Sequence, residues 1–261
     1  MATTELALVK DTSIYCPPAE ELAEISAELK GVLTRSMLGT IQIANGGAGC
    51  FKVKEPGADE VTGGVQAVEG VILCSHQTNV FWGNDFSHRQ PGELPVCRSM
   101  NGQQGTILET GEIRDCATCQ HNQFIDGRKP CSNKRQLYIM REGDLVPMLF
   151  SIPPASLKYF DKYLVRCRLT MRVPLFTVVT RITLRNENNN GNEYSVPVFT
   201  PVAKLPREEA QRMSTYAQAF AEAAQRSGIQ ADDVTPEASP AQAAPQQFQQ
   251  VAVDDDLPFD A

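Results

Sequence analysis

The chain has 261 residues, 42% hydrophobic, 7% aromatic and 21% charged, which is enough apolar content for a sizeable core. It has no apolar run near the roughly 18 residues that a bilayer-crossing helix needs, and MATTELALVKDTS lacks the basic-then-apolar order of a secretory leader. A cytoplasmic protein with no membrane partner is therefore expected. The formal charge of -7 argues against a nucleic-acid ligand only if it is taken as one number. From Arg207 to Ala261 there are three basic and ten acidic residues, which is the whole imbalance, whereas Arg114 to Arg185 holds thirteen basic and five acidic side chains. A basic middle joined to an acidic end suggests an anionic ligand for the first and a separate task for the second.

In chain order, residues 17–35 predict a helix, with Leu22, Ile25 and Leu29 at helical spacing and Glu20 and Glu21 in the first turn. Ile41 and Ile43, then Asn45-Gly46-Gly47, then Phe51 and Val53 predict a β-hairpin. VQAVEGVILCS predicts a strand over about 65–75, and the Gly-, Asn-, Pro- and Ser-rich stretch from Asn79 to Arg114 reads as loop. Strands return at about 136–142 and in PMLFSI, and Ser156 is placed to cap a short helix through Arg166 with Leu157, Phe160 and Leu164 on one face. A long hairpin follows, FTVVTRITLR and YSVPVFTPV around NENNNGNE. In its first strand Phe176, Val178, Thr180, Ile182 and Leu184 share one face, and Thr177, Val179, Arg181, Thr183 and Arg185 the other. Arg207–Arg226 is rich in good helix formers. Beyond Gly228 a Pro/Ala/Gln/Ser composition cannot build a core, so 229–261 reads as a disordered linker with an acidic tip.

The most specific chemical signal is Cys97-x18-Cys116-x2-Cys119-x11-Cys131. A CxxC pair presents two thiolates to one ion, and two further Cys in flanking turns complete the tetrahedron that zinc prefers in closed structural sites. His121 is an alternative fourth ligand, and unrelated buried cysteines are the competing expectation. A thioredoxin-type redox pair fits less well, because no βαβ pattern surrounds it. Four thiolates leave no open position, so zinc would be structural rather than catalytic. Cys16, Cys50, Cys74 and Cys167 have no partner in sequence and read as ordinary small apolar residues.

The basic middle supplies candidate phosphate contacts at Arg128, Lys129, Lys134, Arg135, Arg141, Lys158, Lys162, Arg166, Arg168, Arg172, Arg181 and Arg185. Aromatic residues interleave with them, namely Tyr138, Tyr159, Phe160, Tyr163 and Phe176, and NVFWGNDF adds Phe81, Trp82 and Phe86. Cations that follow a backbone and rings that stack on bases are what sequence-independent single-strand binding needs. Trp82, between Asn and Gly residues, is the foremost stacking candidate. The competing expectation is solvated surface charge over core rings. No GxxxxGK[ST], GxSxG or HExxH occurs, and no turnover is expected.

The end of the chain, Asp254-Asp255-Asp256-Leu257-Pro258-Phe259 after a helix and a Pro/Ala/Gln linker, resembles the C-terminal tip of bacterial single-stranded DNA-binding proteins. That resemblance implies that the three Asp supply charge and that Leu257, Pro258 and Phe259 anchor the tip in pockets of replication and recombination proteins. In the family the Phe is normally terminal, whereas Asp260 and Ala261 follow it here. A β-rich core with a zinc-binding insertion and an acidic end is also similar to single-stranded DNA-binding proteins of large tailed phages. Those use an OB-fold, with a His and three Cys where four Cys stand in this chain. The expected architecture is thus mainly β or α+β. It comprises an N-terminal helical extension (1–38), an OB-like Greek-key barrel core (39–205) with a zinc loop (97–131), a helix (206–228) and the acidic tail. The expected function is coating single-stranded DNA in replication, recombination or repair. A zinc-ribbon adaptor or transcription regulator, and a strand-annealing recombination protein, are the alternatives.

Overall fold

The computed structural model describes residues 11–32, 37–83, 93–125, 127–189 and 191–226. Eleven strands join one sheet: β1 (Thr40–Ile43), β2 (Phe51–Lys54), β3 (Thr62–Val65), β4 (Ala67–Phe81), β5 (Cys97–Ser99), β6 (Gln104–Ile107), β7 (Ile113–Asp115), β8 (Ser132–Arg141), β9 (Met148–Ile152), β10 (Val178–Asn189) and β11 (Asn192–Lys204). Three α-helices accompany it, α1 (Ala19–Val32), α2 (Leu157–Val165) and α3 (Arg207–Arg226). The chain is mainly β, as its alternating apolar runs predict.

The strand order is β3-β2-β1-β9-β8-β4-β5-β6-β7, with β10 on β4 and β11 on β10. β1 runs parallel to β9, through Thr40 opposite Leu149 and Ile41 opposite Phe150, and the other ladders are antiparallel. β4 is the spine. One edge of it pairs with β8 over Gly70–Val80, while the other pairs first with β10 (Ala67–Val71) and then with β5 (Asn79–Phe81). Gly70 lies where these ladders overlap. A β-carbon there would collide with the Met140 carbonyl and come within 2.8 Å of Ile139 Cγ2.

Alternation along the strands divides the core in two. One cluster gathers Ile41, Phe51, Val53, Val68, Ile72, Leu137, Ile139, Met148, Phe150, Ile152, Val178 and Ile182, and α2 closes it with Phe160 and Tyr163. The other gathers Val71, Leu73, Tyr138, Met140, Leu149 and Val179 beneath α1 and α3. α3 enters it with Met213, Tyr216, Ala217, Phe220 and Ala224, spacings that keep one helical stripe inward. Tyr15 Oη donates to Glu69 (2.7 Å) and Thr12 Oγ1 to Glu209 (2.6 Å), which ties the segment before α1 to β4 and α3.

The sheet curls so that the β1–β2 turn meets the β10–β11 hairpin. Gly49 N donates to Ser195 Oγ (3.0 Å), and Asn186 Nδ2 donates to the Gly47 carbonyl (2.6 Å). The helices expected over 17–35, 156–166 and 207–226, and both hairpins, are present. The reading of 79–114 as loop is corrected, because β4 runs on to Phe81 and β5, β6 and β7 lengthen the sheet beyond it. These strands have only three or four residues each, too few for alternation to register among so many Gly, Asn and Ser residues. The acidic tail lies outside the described residues.

Candidate nucleic-acid interface and cysteine module

β5, β6, β7 and the turns after them bring the four cysteines of the spaced motif together. Cys97 opens β5, Cys116 follows β7, Cys119 precedes a short helical turn (Gln120–Asn122), and Cys131 stands immediately before β8. All four line one cavity of about 60 Å³, together with Phe81, Gly105, Arg114 and His121. A β-carbon on Gly105 would sit 2.9 Å from the Cys97 sulfur and 3.5 Å from that of Cys116, so glycine keeps this space open. Burial pushes the Cys131 thiol up to about 12, and its neighbours Cys116, Cys119 and Cys97 add to the rise. Cys97 is raised by burial and by Cys116 and Cys119, and Arg114 opposes the rise. Among the described residues no three His, Cys, Asp or Glu side chains are gathered tightly enough to hold an ion as they stand. The donor set is nevertheless of the right kind for zinc, four sulfurs around one small space.

The module is cross-braced. Asn122 Nδ2 donates to the Cys116 carbonyl (2.7 Å), Gln123 Nε2 to that of Ala117 (2.8 Å), and Cys131 N to that of His121 (2.8 Å). Asn133 Nδ2, on β8, donates to Asn122 Oδ1 (3.0 Å) and to Asn79 Oδ1 on β4. The His121 ring stacks on Phe81, with centroids 4.0 Å apart and planes at 11°. Trp82 follows Phe81 and is half-buried with neighbours engaged. Phe86 lies outside the described residues.

The second candidate surface is α2. Lys158, Lys162 and Arg166 recur every four residues on its solvent side, and all three are exposed. The helix passes into a wider turn over Arg166–Thr170 that turns Arg168 and Leu169 outward. It ends at Arg172, whose φ of 55° makes it the one left-handed non-glycine among the described residues. None of Lys162, Arg166, Arg168 and Arg172 is ion-paired to another described residue. The Tyr159 ring carries Lys158 Nζ at 5.0 Å and Arg185 Cζ at 5.9 Å, and its hydroxyl donates to Glu187 (2.7 Å). The hydrogen bond from Tyr159, and then that from Arg185, hold the Glu187 carboxyl below its usual range. Arg135 joins this face from β8, with Cζ 5.8 Å from the Phe160 ring and a 3.5 Å contact to Asp161.

The structure thus gathers Arg135, Lys158, Tyr159, Lys162, Arg166 and Arg185 about α2, and Arg128 and Lys129 on the cysteine module. Strand alternation turns Lys134 to the face of Tyr138, away from Arg135, although the two are adjacent in sequence. Arg181 is exposed but stands opposite Glu69 in the β10–β4 ladder. Tyr138 is corrected: it is only 5% exposed, wedged between His76 and Phe220 at centroid distances of 5.6 and 5.0 Å, so its ring cannot reach a base. Phe160 and Tyr163 are core residues as well. Arg141 is committed to Glu55 (2.6 Å) and Asp144 (2.8 Å). Period-two alternation could not reveal the burial of Tyr138, because a strand covered on both faces buries both sets of side chains.

Sequence patterning gave no reason to single out Phe124. It is 76% exposed, with Lys129 Nζ 5.9 Å from its ring centroid. Its only signal in the sequence is position, between the CxxC pair and a Gly-Arg-Lys run. No protein-family model matches the chain, and no curated protein or solved structure matches it either.

Proposed function

We propose that this chain binds single-stranded DNA without sequence preference, and that zinc on Cys97, Cys116, Cys119 and Cys131 braces the cysteine module. The observation that carries the reading is the run of exposed cations on α2 and the turn after it. Lys158, Lys162, Arg166, Arg168 and Arg172 project from one short segment, and the one acidic residue of α2, Asp161, is drawn toward Arg135. Five exposed like charges in so short a segment make a concentrated positive patch, and a phosphate backbone is the polyanion that complements it. Tyr159 adds a partly exposed ring among them.

The open sheet about the α2-side core is read as OB-like, with the β1–β2 turn hydrogen-bonded to the β10–β11 hairpin. Zinc would displace the protons of thiols whose ionisation burial and mutual repulsion oppose, would stabilise the resulting thiolates, and would draw four sulfurs around the space beside Gly105. It would fix the module on β4 and β8 rather than perform chemistry. In this reading Asp254, Asp255, Asp256, Leu257, Pro258 and Phe259 recruit replication or recombination proteins. A phage or mobile-element setting in a bacterial cytoplasm suits such a protein. Among the described residues no helix is long and apolar enough to cross a membrane.

The double substitution Lys162→Ala with Arg166→Ala tests the assignment of α2. Both side chains are exposed, so folding is preserved. Affinity for a deoxythymidine oligomer should fall, and the slope of log affinity against log salt should shrink by about 1.4, roughly 0.7 for each phosphate of a single strand that is no longer engaged. An unchanged slope would remove α2 from the interface.

A further inference from the structure

The hairpin that Cys119 and Cys131 bracket carries an exposed aromatic residue, Phe124, immediately before its turn. Ile125 and Arg128 exchange both backbone hydrogen bonds, Ile125 N to the Arg128 carbonyl at 2.8 Å and the reverse at 3.0 Å, which closes a turn through Gly127 (φ 75°). Below it, the bonds from Asn122, Gln123 and Cys131 lock the stem to the cysteine loops. Phe124 therefore stands in solvent because the backbone holds it there. Nothing in the core requires the ring, yet it is an aromatic residue 76% exposed. An isolated exposed Phe needs no explanation. What separates Phe124 from that case is its neighbours, with Lys129 Nζ 5.9 Å from the ring and Arg128 exposed across the turn. A π-face with one cation against it and a second on the same turn suits single-strand recognition, in which the ring stacks on a base and cations meet the flanking phosphates.

We propose that Phe124 is a base-stacking platform, with Arg128 and Lys129 contacting the adjoining phosphates, so that the cysteine module forms a second contact point for single-stranded nucleic acid beside α2. The proposal rests on the single-strand reading above. It moves the principal stacking role from Trp82, which is half-buried, to a ring that is free on most of its surface. Because the backbone beneath the ring is already ordered, stacking has to order only the two side-chain torsions of Phe124, which limits its cost.

The test is a fluorescence titration of a labelled deoxythymidine oligomer with the full chain at several salt concentrations, comparing wild type, Phe124→Ala, Phe124→Leu, Phe124→Trp and Lys129→Ala. Loss of the ring in Phe124→Ala should weaken binding about 5- to 150-fold, the range that one stacked base supplies. The salt slope should not change, because no charge is removed. Phe124→Leu should fail to restore affinity and Phe124→Trp should restore it, whereas Lys129→Ala should reduce the slope by about 0.7. If wild type binds but Phe124→Ala stays within about twofold of it, or Phe124→Leu binds as wild type does, the stacking role is overturned while single-strand binding stands, and the tip is left as a surface for a protein partner. If wild type itself does not bind, both readings fall together.

Discussion

A single missing methyl group shapes the cysteine module. The β-carbon that Gly105 lacks would press on the Cys97 sulfur and lie in contact with that of Cys116, so Gly105→Ala should obstruct the space where the four sulfurs face one another. The expected result is a loss of zinc affinity of about 10- to 100-fold, typical of a defect beside a metal's ligands, measured by competition with a chromophoric chelator. Gly105 belongs to neither core cluster, so thermal unfolding of the zinc-free protein should move little. An equal effect on both measurements would mean that Gly105 serves general packing and not the metal. The four cysteines were legible in the sequence because CxxC and turn-forming neighbours carry a local signature. Gly105 and Phe124 were not, because their roles depend on which sulfurs and cations the β5–β6–β7 turns bring near them.

At the scale of elements, α3 does more than connect the sheet to the acidic segment. Phe220 is 1% exposed and meets Tyr138 from β8 at 5.0 Å and Tyr216 at 6.1 Å, and the Tyr216 hydroxyl donates to the Leu145 carbonyl (3.1 Å). Phe220→Ala should cost about 3–5 kcal/mol, as truncation of a buried Phe does, read as a lower midpoint in chemical denaturation. A cost below about 1 kcal/mol would show that α3 docks only loosely. Helical spacing made α1 and α2 legible from the sequence, helix-forming composition did so for α3, and the long β10–β11 hairpin followed from its Asn-rich turn. What sequence could not settle was which face each strand covers. Tyr138 alternates with Leu137 and Ile139 as a surface residue would, and only the packing of α3 over that side makes it core. Lys134 and Arg135 part company for the same reason.

At the scale of the whole molecule, charge is segregated. The net -7 resides in the stretch from Arg207 onward, while Arg114 to Arg185 carries an excess of eight positive charges. That excess is unevenly spent. Arg141 is absorbed by Glu55 and Asp144, Arg114 pairs with Glu112, and Arg185 pairs with Glu187. Among the described residues the α2 cations, the Arg128–Lys129 pair and Arg181 are exposed or half-exposed and form no salt bridge, which leaves them for an external anion. The most direct test of single-strand binding is a fluorescence titration of labelled poly-dT and a matched duplex with purified protein, at low and high salt. A companion chain lacking residues 249–261 tests whether the acidic tip competes with the nucleic acid for the basic surface. The account predicts tight, salt-sensitive binding to the single strand and much weaker binding to the duplex. Absence of single-strand binding at low salt, with the tip removed as well, would contradict it and favour a zinc-braced protein adaptor.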